Sequence, residues 1–86
     1  PLQVLAWAPD GDAFVAVVRE AGGFALAQVE GTATTRRPLD LGGPVHQVEI
    51  VRAASGALDL VVQRAAREGG PGAMQVYGDG GAHVAA

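Results

Sequence analysis

Residues 9–18 read Pro-Asp-Gly-Asp-Ala-Phe-Val-Ala-Val-Val, in which a tight-turn signal runs directly into an apolar segment. Proline presets φ and glycine accepts positive φ, so residues 9–12 predict a turn. The segment 13–18 is short and rich in valine, which favours a strand over a helix. Because this segment contains no polar residue, we expect the strand to be covered on both of its faces. The stretch therefore predicts a β-hairpin whose second strand lies in a core.

Glycine-rich breaks and short apolar runs alternate along the rest of the chain. Further breaks lie at residues 22–23, 42–44, 69–72 and 78–81. The apolar runs are residues 4–8, 13–18, 24–29, 45–51, 58–62 and 73–77. Turn signals at intervals of roughly 10 residues are typical of consecutive antiparallel hairpins. Residues 32–35, followed by Arg36 and Arg37, predict an exposed edge strand because charges there discourage edge-to-edge pairing. We therefore predict a mainly β fold.

Residues 56–68 support an alternative to this fold. Their apolar positions, Leu58, Val61, Val62, Ala65 and Ala66, follow the i, i+3, i+4, i+7, i+8 pattern of one helical face. Under the alternative interpretation the chain is α+β, an antiparallel sheet with one helix at about residues 56–68. The spacing of the turns favours the strand, since tertiary context often overrides helix propensity.

The chain also matches itself in part when it is displaced by 44 residues. Gln3-Val4 then falls on Gln47-Val48, and Val17-Val18 falls on Val61-Val62. The match resumes at a displacement of 47, where Gln28-Val29 falls on Gln75-Val76. A period near 44 lies in the range of roughly 40–45 residues that a four-stranded propeller blade occupies.

Two segments resemble β-propeller repeats. Leu5-Ala6-Trp7-Ala8-Pro9-Asp10-Gly11 resembles the W-S-P-D-G hairpin of TolB-like and WD40-like repeats, with Ala8 where serine is usual. Residues 55–62 and 74–77 are similar to the strands of FG-GAP blades. Residues 52–55 hold no acid, however, so the calcium loop of many such blades is not expected.

This resemblance implies an architecture and a class of function. It implies two four-stranded antiparallel meanders, a first blade at residues 1–43 and a second at residues 44–86. A propeller closes with roughly 4–8 blades. Two blades would therefore belong to a larger propeller, or several copies of the chain would assemble into one. The resemblance implies a binding or scaffold role and not a reaction.

Composition excludes several other classes of protein. Of the 86 residues 49% are hydrophobic and 17% are charged, which is unlike a disordered tail. A formal charge of −3 gives no general attraction to a nucleic-acid backbone. No apolar run approaches the roughly 20 residues of a membrane-spanning helix, and the absence of cysteine excludes disulfides and thiolate metal sites. Because the chain opens at Pro1, we expect it to have been processed or excised from a longer protein.

The sequence predicts no catalytic, cofactor or metal site. His46 and His83 lack the spacing of a zinc site, and Asp10 and Asp12 are the residues that a tight turn prefers. Ser55, the only serine, lies outside a nucleophile elbow. We therefore expect a protein that is not an enzyme and has no cofactor.

Four residues are candidates for binding: Trp7, Tyr77, Arg36 and Arg37. In a propeller blade a tryptophan at this hairpin packs between blades, whereas an exposed one would hold a partner or stack on a sugar. The arginine pair and its neighbouring threonines form a polar cluster suited to an anion. The favoured function is a non-catalytic interaction module, whose partner is a protein or further copies or blades of the same chain. The alternatives are a carbohydrate-binding protein that oligomerises into a ring, using Trp7 or Tyr77, and the propeller part of a larger enzyme.

Overall fold

The computed structural model describes residues 2–78 and 83–85 of the chain. The chain divides into two compact units, Pro1–Asp40 and Leu41–Ala86. Each unit contains one antiparallel sheet whose four strands follow one another in chain order. The strands of the first unit are β1 (Gln3–Asp10), β2 (Ala13–Glu20), β3 (Gly23–Glu30) and β4 (Ala33–Leu39). Those of the second are β5 (Val45–Arg52), β6 (Leu58–Ala65), β7 (Pro71–Gly78) and β8 (His83–Ala85). The predicted mainly β fold, with two four-stranded antiparallel meanders, is confirmed.

Two-residue turns connect the strands of the first sheet. The pair that closes the first hairpin is Asp10 with Ala13, and Gly11 between them has φ of 63°. Gly31 takes φ of 61° at the turn between β3 and β4. Turns of this kind need a residue with positive φ because their twist then matches that of the flanking strands. The predicted turn is confirmed at residues 11–12 with the expected positive φ at Gly11, whereas Pro9 lies in β1, paired with Phe14, and takes no part in the turn.

The helical alternative for residues 56–68 is wrong. Residues 58–65 form β6, which pairs with β5 on one side and with β7 on the other. Leu58, Leu60 and Val62 occupy alternate positions and so share one face of the sheet. Leu60 and Val62 are fully buried there. The apolar residues of this segment fit the spacing of a helix and also that of a strand. The strand forms because β6 has a pairing partner along both of its edges. The part of the chain that the structure describes contains no helix.

Strand β2 departs from its prediction at one residue. Val15, Val17 and Val18 are buried, which places covered side chains on both faces of the strand as expected. Phe14 is exposed, however, and Ala16 is only partly covered. The face that carries these two residues is thus open at its Phe14 end.

The predicted edge strand is confirmed, and it is longer than expected. β4 is the last strand in the order of its sheet, and residues 33–38 are all exposed. The strand continues through Arg36, Arg37 and Pro38. Proline is tolerated here because an edge strand has one side without ladder hydrogen bonds.

The two sheets share part of the register that the internal match suggested. Val4 pairs with Val18 and Val48 pairs with Val62, which are equivalent pairs at a displacement of 44 residues. The next hairpin does not follow the match. Val18 pairs with Ala25, so a displacement of 47 residues for the second strand predicts that Val62 pairs with residue 72. The observed partner of Val62 is Gln75. The internal repeat therefore stays a prediction.

Gly72→Ala is expected to destabilise the second unit, because the register shifts between Gln63 and Ala65 and brings backbone close to Gly72. A Cβ at Gly72 would lie 3.0 Å from the carbonyl oxygen of Arg64 and 3.3 Å from the amide nitrogen of Ala66. We expect a loss of about 1–3 kcal/mol, as for overpacking in a well-packed region. Urea unfolding followed by circular dichroism measures it.

Gly70→Ala is the matched control for this substitution. A Cβ there meets nothing within 4 Å, and the residue lacks a positive φ. Alanine should then be neutral or stabilise by up to about 1 kcal/mol, since it lowers the entropy of the unfolded chain. Equal unfolding midpoints for the two variants would contradict the predicted crowding at Gly72.

Candidate functional site

One face of the first sheet carries the exposed tryptophan, and we call it the Trp7 face. Residues directly paired across antiparallel strands point to the same side, as do residues two apart along a strand. The register places one row across all four strands, consisting of Trp7, Ala16, Ala27 and Arg36. The adjacent row consists of Pro9, Phe14, Val29 and Thr34. Val18, Ala25 and Pro38 form a third row on the same side.

Large apolar side chains are exposed at one end of the Trp7 face. Trp7 is 65% exposed, Phe14 50% and Val29 37%. The rings of Trp7 and Phe14 contact each other edge to face, with centroids 5.7 Å apart and an interplanar angle of 60°. Aromatic side chains of this size remove about 150–250 Å² each from water when they are buried. Their exposure as a contiguous pair marks a surface suited to a partner.

The middle of the Trp7 face is lined by small side chains. Ala25 and Ala27 on β3 are buried, and Ala16 on β2 is partly covered. On the far side lies an ion pair between Arg36 of β4 and Glu20 of β2. The face therefore has exposed apolar side chains at the end formed by Trp7, Phe14 and Val29, covered alanines in its middle, and the Arg36–Glu20 ion pair toward β4.

The two arginines predicted as one basic pair lie on opposite faces of the sheet. Arg36 pairs with Ala27, whereas Arg37 pairs with Leu26, and the side chains of successive strand residues alternate. Arg36 is held by Glu20. A cleft of about 280 Å³ lies at this end of the sheet, and residues of both faces line it, Ala25 and Arg36 from the Trp7 face and Phe24 and Arg37 from the other.

Tyr77 lies in the second unit and has little exposed surface. Its side chain is 4% exposed, and its hydroxyl donates a hydrogen bond to the carbonyl oxygen of Leu41 at 3.0 Å. The same hydroxyl accepts a hydrogen bond from Nη2 of Arg64. Nε and Nη2 of Arg64 also donate to Oε1 of Gln75 at 2.8 and 2.6 Å. The hydroxyl of Tyr77 is thus bonded on both sides within the second unit.

Phe14 and Val29 are binding candidates that the sequence interpretation missed. The apolar run 13–18 predicts a covered Phe14, and the run 24–29 predicts only a strand that contains Val29. For Phe14 the sequence does carry a signal. Phe14 lies opposite Pro9 across the first turn, and Pro9 shares a strand face with Trp7. Counting every second residue outward from the turn places the side chains of Trp7, Pro9 and Phe14 on one side of the sheet.

Other candidates from the sequence form no site among the described residues. His46 is exposed on β5, while the side chain of His83 lies outside the part described. In residues 2–78 and 83–85 no group of three or more histidine, aspartate or glutamate side chains is arranged to hold a metal ion. The described residues also contain no helix that is long and apolar enough to cross a membrane.

Comparison with protein-family models, curated proteins and solved structures finds no match for this chain. The likeness to propeller repeats therefore stays a prediction, carried by residues 5–11 and by the order of the strands. What the chain itself offers is the geometry of the Trp7 face.

Proposed function

We propose that the chain is a non-catalytic protein-interaction module, built from blades of a β-propeller, that binds protein through the Trp7 face. The observation that carries this proposal is the exposed aromatic pair of Trp7 and Phe14. Tryptophan is among the residues that contribute most to binding when a partner covers them. A hydrophobic centre with a polar rim is also the usual anatomy of a protein interface. Here Thr34 and the Arg36–Glu20 pair supply the rim.

The propeller part of the proposal rests on local pattern and strand order. A blade is a four-stranded antiparallel sheet, and the radial stacking of such sheets protects their faces and edges. Each unit has four strands in chain order, and Trp7-Ala8-Pro9-Asp10-Gly11 lies at the first hairpin. A blade with an open apolar face is stabilised by whatever packs against that face. The scaffold role follows from this requirement for a neighbour.

Photo-crosslinking at two neighbouring positions tests the proposal. Val29 lies on the Trp7 face, whereas Gln28 is exposed on the opposite face of the same strand. A photoreactive amino acid at position 29 is expected to give discrete protein adducts in extracts of the native cell. The same group at position 28 should give few, and Trp7→Ser should abolish those at 29. Absence of protein adducts at 29, or equal yields at 28 and 29, would contradict the proposal.

A further inference from the structure

We propose that the first unit holds a site for a short peptide of two or three residues with free termini. The site lies on the face of the sheet opposite the Trp7 face, which we call the reverse face. Glu30 takes the ammonium group of the peptide, Arg37 takes its carboxylate, and the Gln28–Thr35 pair lies between them. Because this is a different surface from the Trp7 face, the inference stands independently of the proposed function.

Three cross-strand pairs place these residues in successive rows on the reverse face. In order along the strands, the pairs are Leu26 with Arg37, Gln28 with Thr35, and Glu30 with Ala33. Along β3 they alternate with the residues of the Trp7 face, so their side chains point to the other side. Arg37 and Glu30 therefore lie at opposite ends of one polar strip, with an amide and a hydroxyl between them.

Two hollows follow this strip and meet at Gln28 and Thr35, which line both. The smaller, of about 140 Å³, is also lined by Leu26 and Arg37 and by Arg36 of the same edge strand. The larger, of about 300 Å³, is also lined by Glu30 and Ala33. The larger hollow alone reaches the lower limit of the roughly 300–1,000 Å³ that ligand pockets occupy. The two hollows together form one groove with a cation at one end and an anion at the other.

The polar groups of the groove are accessible to a ligand. Gln28, Glu30 and Thr35 are exposed, and their side chains make no hydrogen bond or ion pair with any other residue in the described part of the chain. Arg37 is exposed as well and has an interaction partner within the chain. Its guanidinium presents five N–H donors, so a carboxylate can bind alongside that partner.

The spacing of the two charges matches the length of a short peptide. Leu26, which pairs with Arg37, lies four residues from Glu30 on β3. At about 3.4 Å per residue the charged side chains lie about 14 Å apart, since strand side chains stand roughly perpendicular to the sheet. A linear dipeptide spans about 7 Å. A charge-assisted hydrogen bond of about 2.8 Å at each terminus extends its reach to about 13 Å. A tripeptide is only about 3.5 Å longer, which flexible side chains accommodate.

The Gln28–Thr35 pair suits the peptide group between the two termini. A peptide group offers one N–H donor and one carbonyl acceptor. The amide of Gln28 and the hydroxyl of Thr35 each donate and accept, so together they satisfy both. A neutral ligand such as a sugar would leave Glu30 and Arg37 without a charge partner, and a free amino acid is too short to reach both.

The exposure of the groove makes the expected affinity weak. Ion pairs between exposed groups contribute little, because water and salt screen them. We therefore expect a dissociation constant of about 1 mM at low ionic strength, and weaker binding as salt is added.

Titration of the isotope-labelled chain with Ala-Ala and Ala-Ala-Ala, followed by NMR, tests the inference. The expected result is a saturable change in amide shifts, confined to residues 26–30 and 33–37. Acetylation of the amino terminus or amidation of the carboxyl terminus should each weaken binding by more than about fivefold. Free alanine should bind no better than the blocked peptides. The absence of a saturable change up to about 20 mM, or equal binding of free and blocked peptides, would overturn the inference.

The variants Thr35→Ala and Thr34→Ala provide the matched comparison, because the two threonines are exposed neighbours on opposite faces of β4. Thr35→Ala should weaken binding by about threefold, since one hydrogen bond to the ligand is lost. Thr34→Ala should leave it unchanged. Equal effects of the two substitutions would place the ligand elsewhere and overturn the inference.

Glu30→Gln identifies the group that holds the ammonium. It should weaken binding of Ala-Ala by about fivefold and make the remaining binding insensitive to acetylation of the peptide. Undiminished sensitivity to acetylation would contradict the role of Glu30. Because the side chains changed in these variants are exposed, all three should retain the urea midpoint of the parent chain.

Trp7→Ser separates this inference from the proposed function. It removes the anchor of the Trp7 face and should leave the peptide titration unchanged. Loss of peptide binding in Trp7→Ser would place the ligand on the Trp7 face and overturn the inference. Crosslinking from position 29 tests the proposed function alone, so the failure of either proposal leaves the other standing.

Discussion

Leu60→Ala is expected to lower the free energy of unfolding of the second unit by about 2–5 kcal/mol, the range for removing a large buried aliphatic side chain. Leu60 is 0% exposed, and its strand, β6, lies between β5 and β7. Its cross-strand partners are Ile50 and Tyr77. Val62, two residues along the same face of β6, is also fully buried, and valine has little freedom to fill the space left by a leucine. A small domain has only about 5–15 kcal/mol in total, so this loss is a large fraction of its stability.

Met74→Ala is the control, because Met74 belongs to the adjacent strand and is 60% exposed. Its effect should stay within about 0.5 kcal/mol. Urea unfolding followed by far-ultraviolet circular dichroism gives both values. If Leu60→Ala does not fold, Leu60→Val removes one methylene and should cost about 1 kcal/mol. Similar midpoints for the Leu60 and Met74 variants would mean that Leu60 is not a core residue.

The strands could be predicted because their signals are local. Gly11 supplies the positive φ of the first turn, and the apolar run after that turn is too short for most helices. Residues 58–65 were ambiguous because a helical and an alternating apolar pattern overlap there. Pairing with β7 resolved the ambiguity, and its residues lie a loop away in sequence.

The Trp7 face was harder to predict because side-chain direction depends on register. A shift of one residue in the pairing of β1 and β2 would carry every side chain of a strand to the other face. The register of β1 against β2 shifts between Val4 and Ala6, and the pattern of apolar residues in the sequence does not reveal this shift. Trp7 was found as a candidate through its residue type, whereas the exposure of Phe14 follows only from the observed pairing.

The burial of Tyr77 depends on residues that are remote in sequence. Its hydroxyl bonds to the carbonyl of Leu41, 36 positions away, and Arg64 lies over its ring at 5.8 Å. Neither contact leaves a signal in the residues around Tyr77. The residues next to Tyr77 in the sequence therefore do not distinguish a buried tyrosine from an exposed one.

Tyr77→Phe is expected to destabilise the second unit by about 1–3 kcal/mol, although it removes a single oxygen atom. The Leu41 carbonyl accepts a hydrogen bond from that hydroxyl in a buried position, and Leu41 itself is fully buried. Phenylalanine leaves this carbonyl without its donor, which costs more than the net worth of an ordinary hydrogen bond. Urea unfolding gives the change in free energy, and a change below about 0.3 kcal/mol would contradict the buried role of the hydroxyl.

A double-mutant cycle with Arg64→Met determines whether the hydroxyl and the guanidinium act together. Methionine keeps the apolar stem of Arg64 and removes the nitrogens that donate to Tyr77 and Gln75. Groups in one hydrogen-bond network are expected to couple by about 0.5–3 kcal/mol. Arg52→Met is the control, since the exposed Arg52 donates from Nη1 to the Gly56 carbonyl at 2.9 Å, away from Tyr77. Arg52→Met should combine additively with Tyr77→Phe. Additivity in the Arg64 cycle as well would show that Tyr77 is held by the Leu41 carbonyl alone.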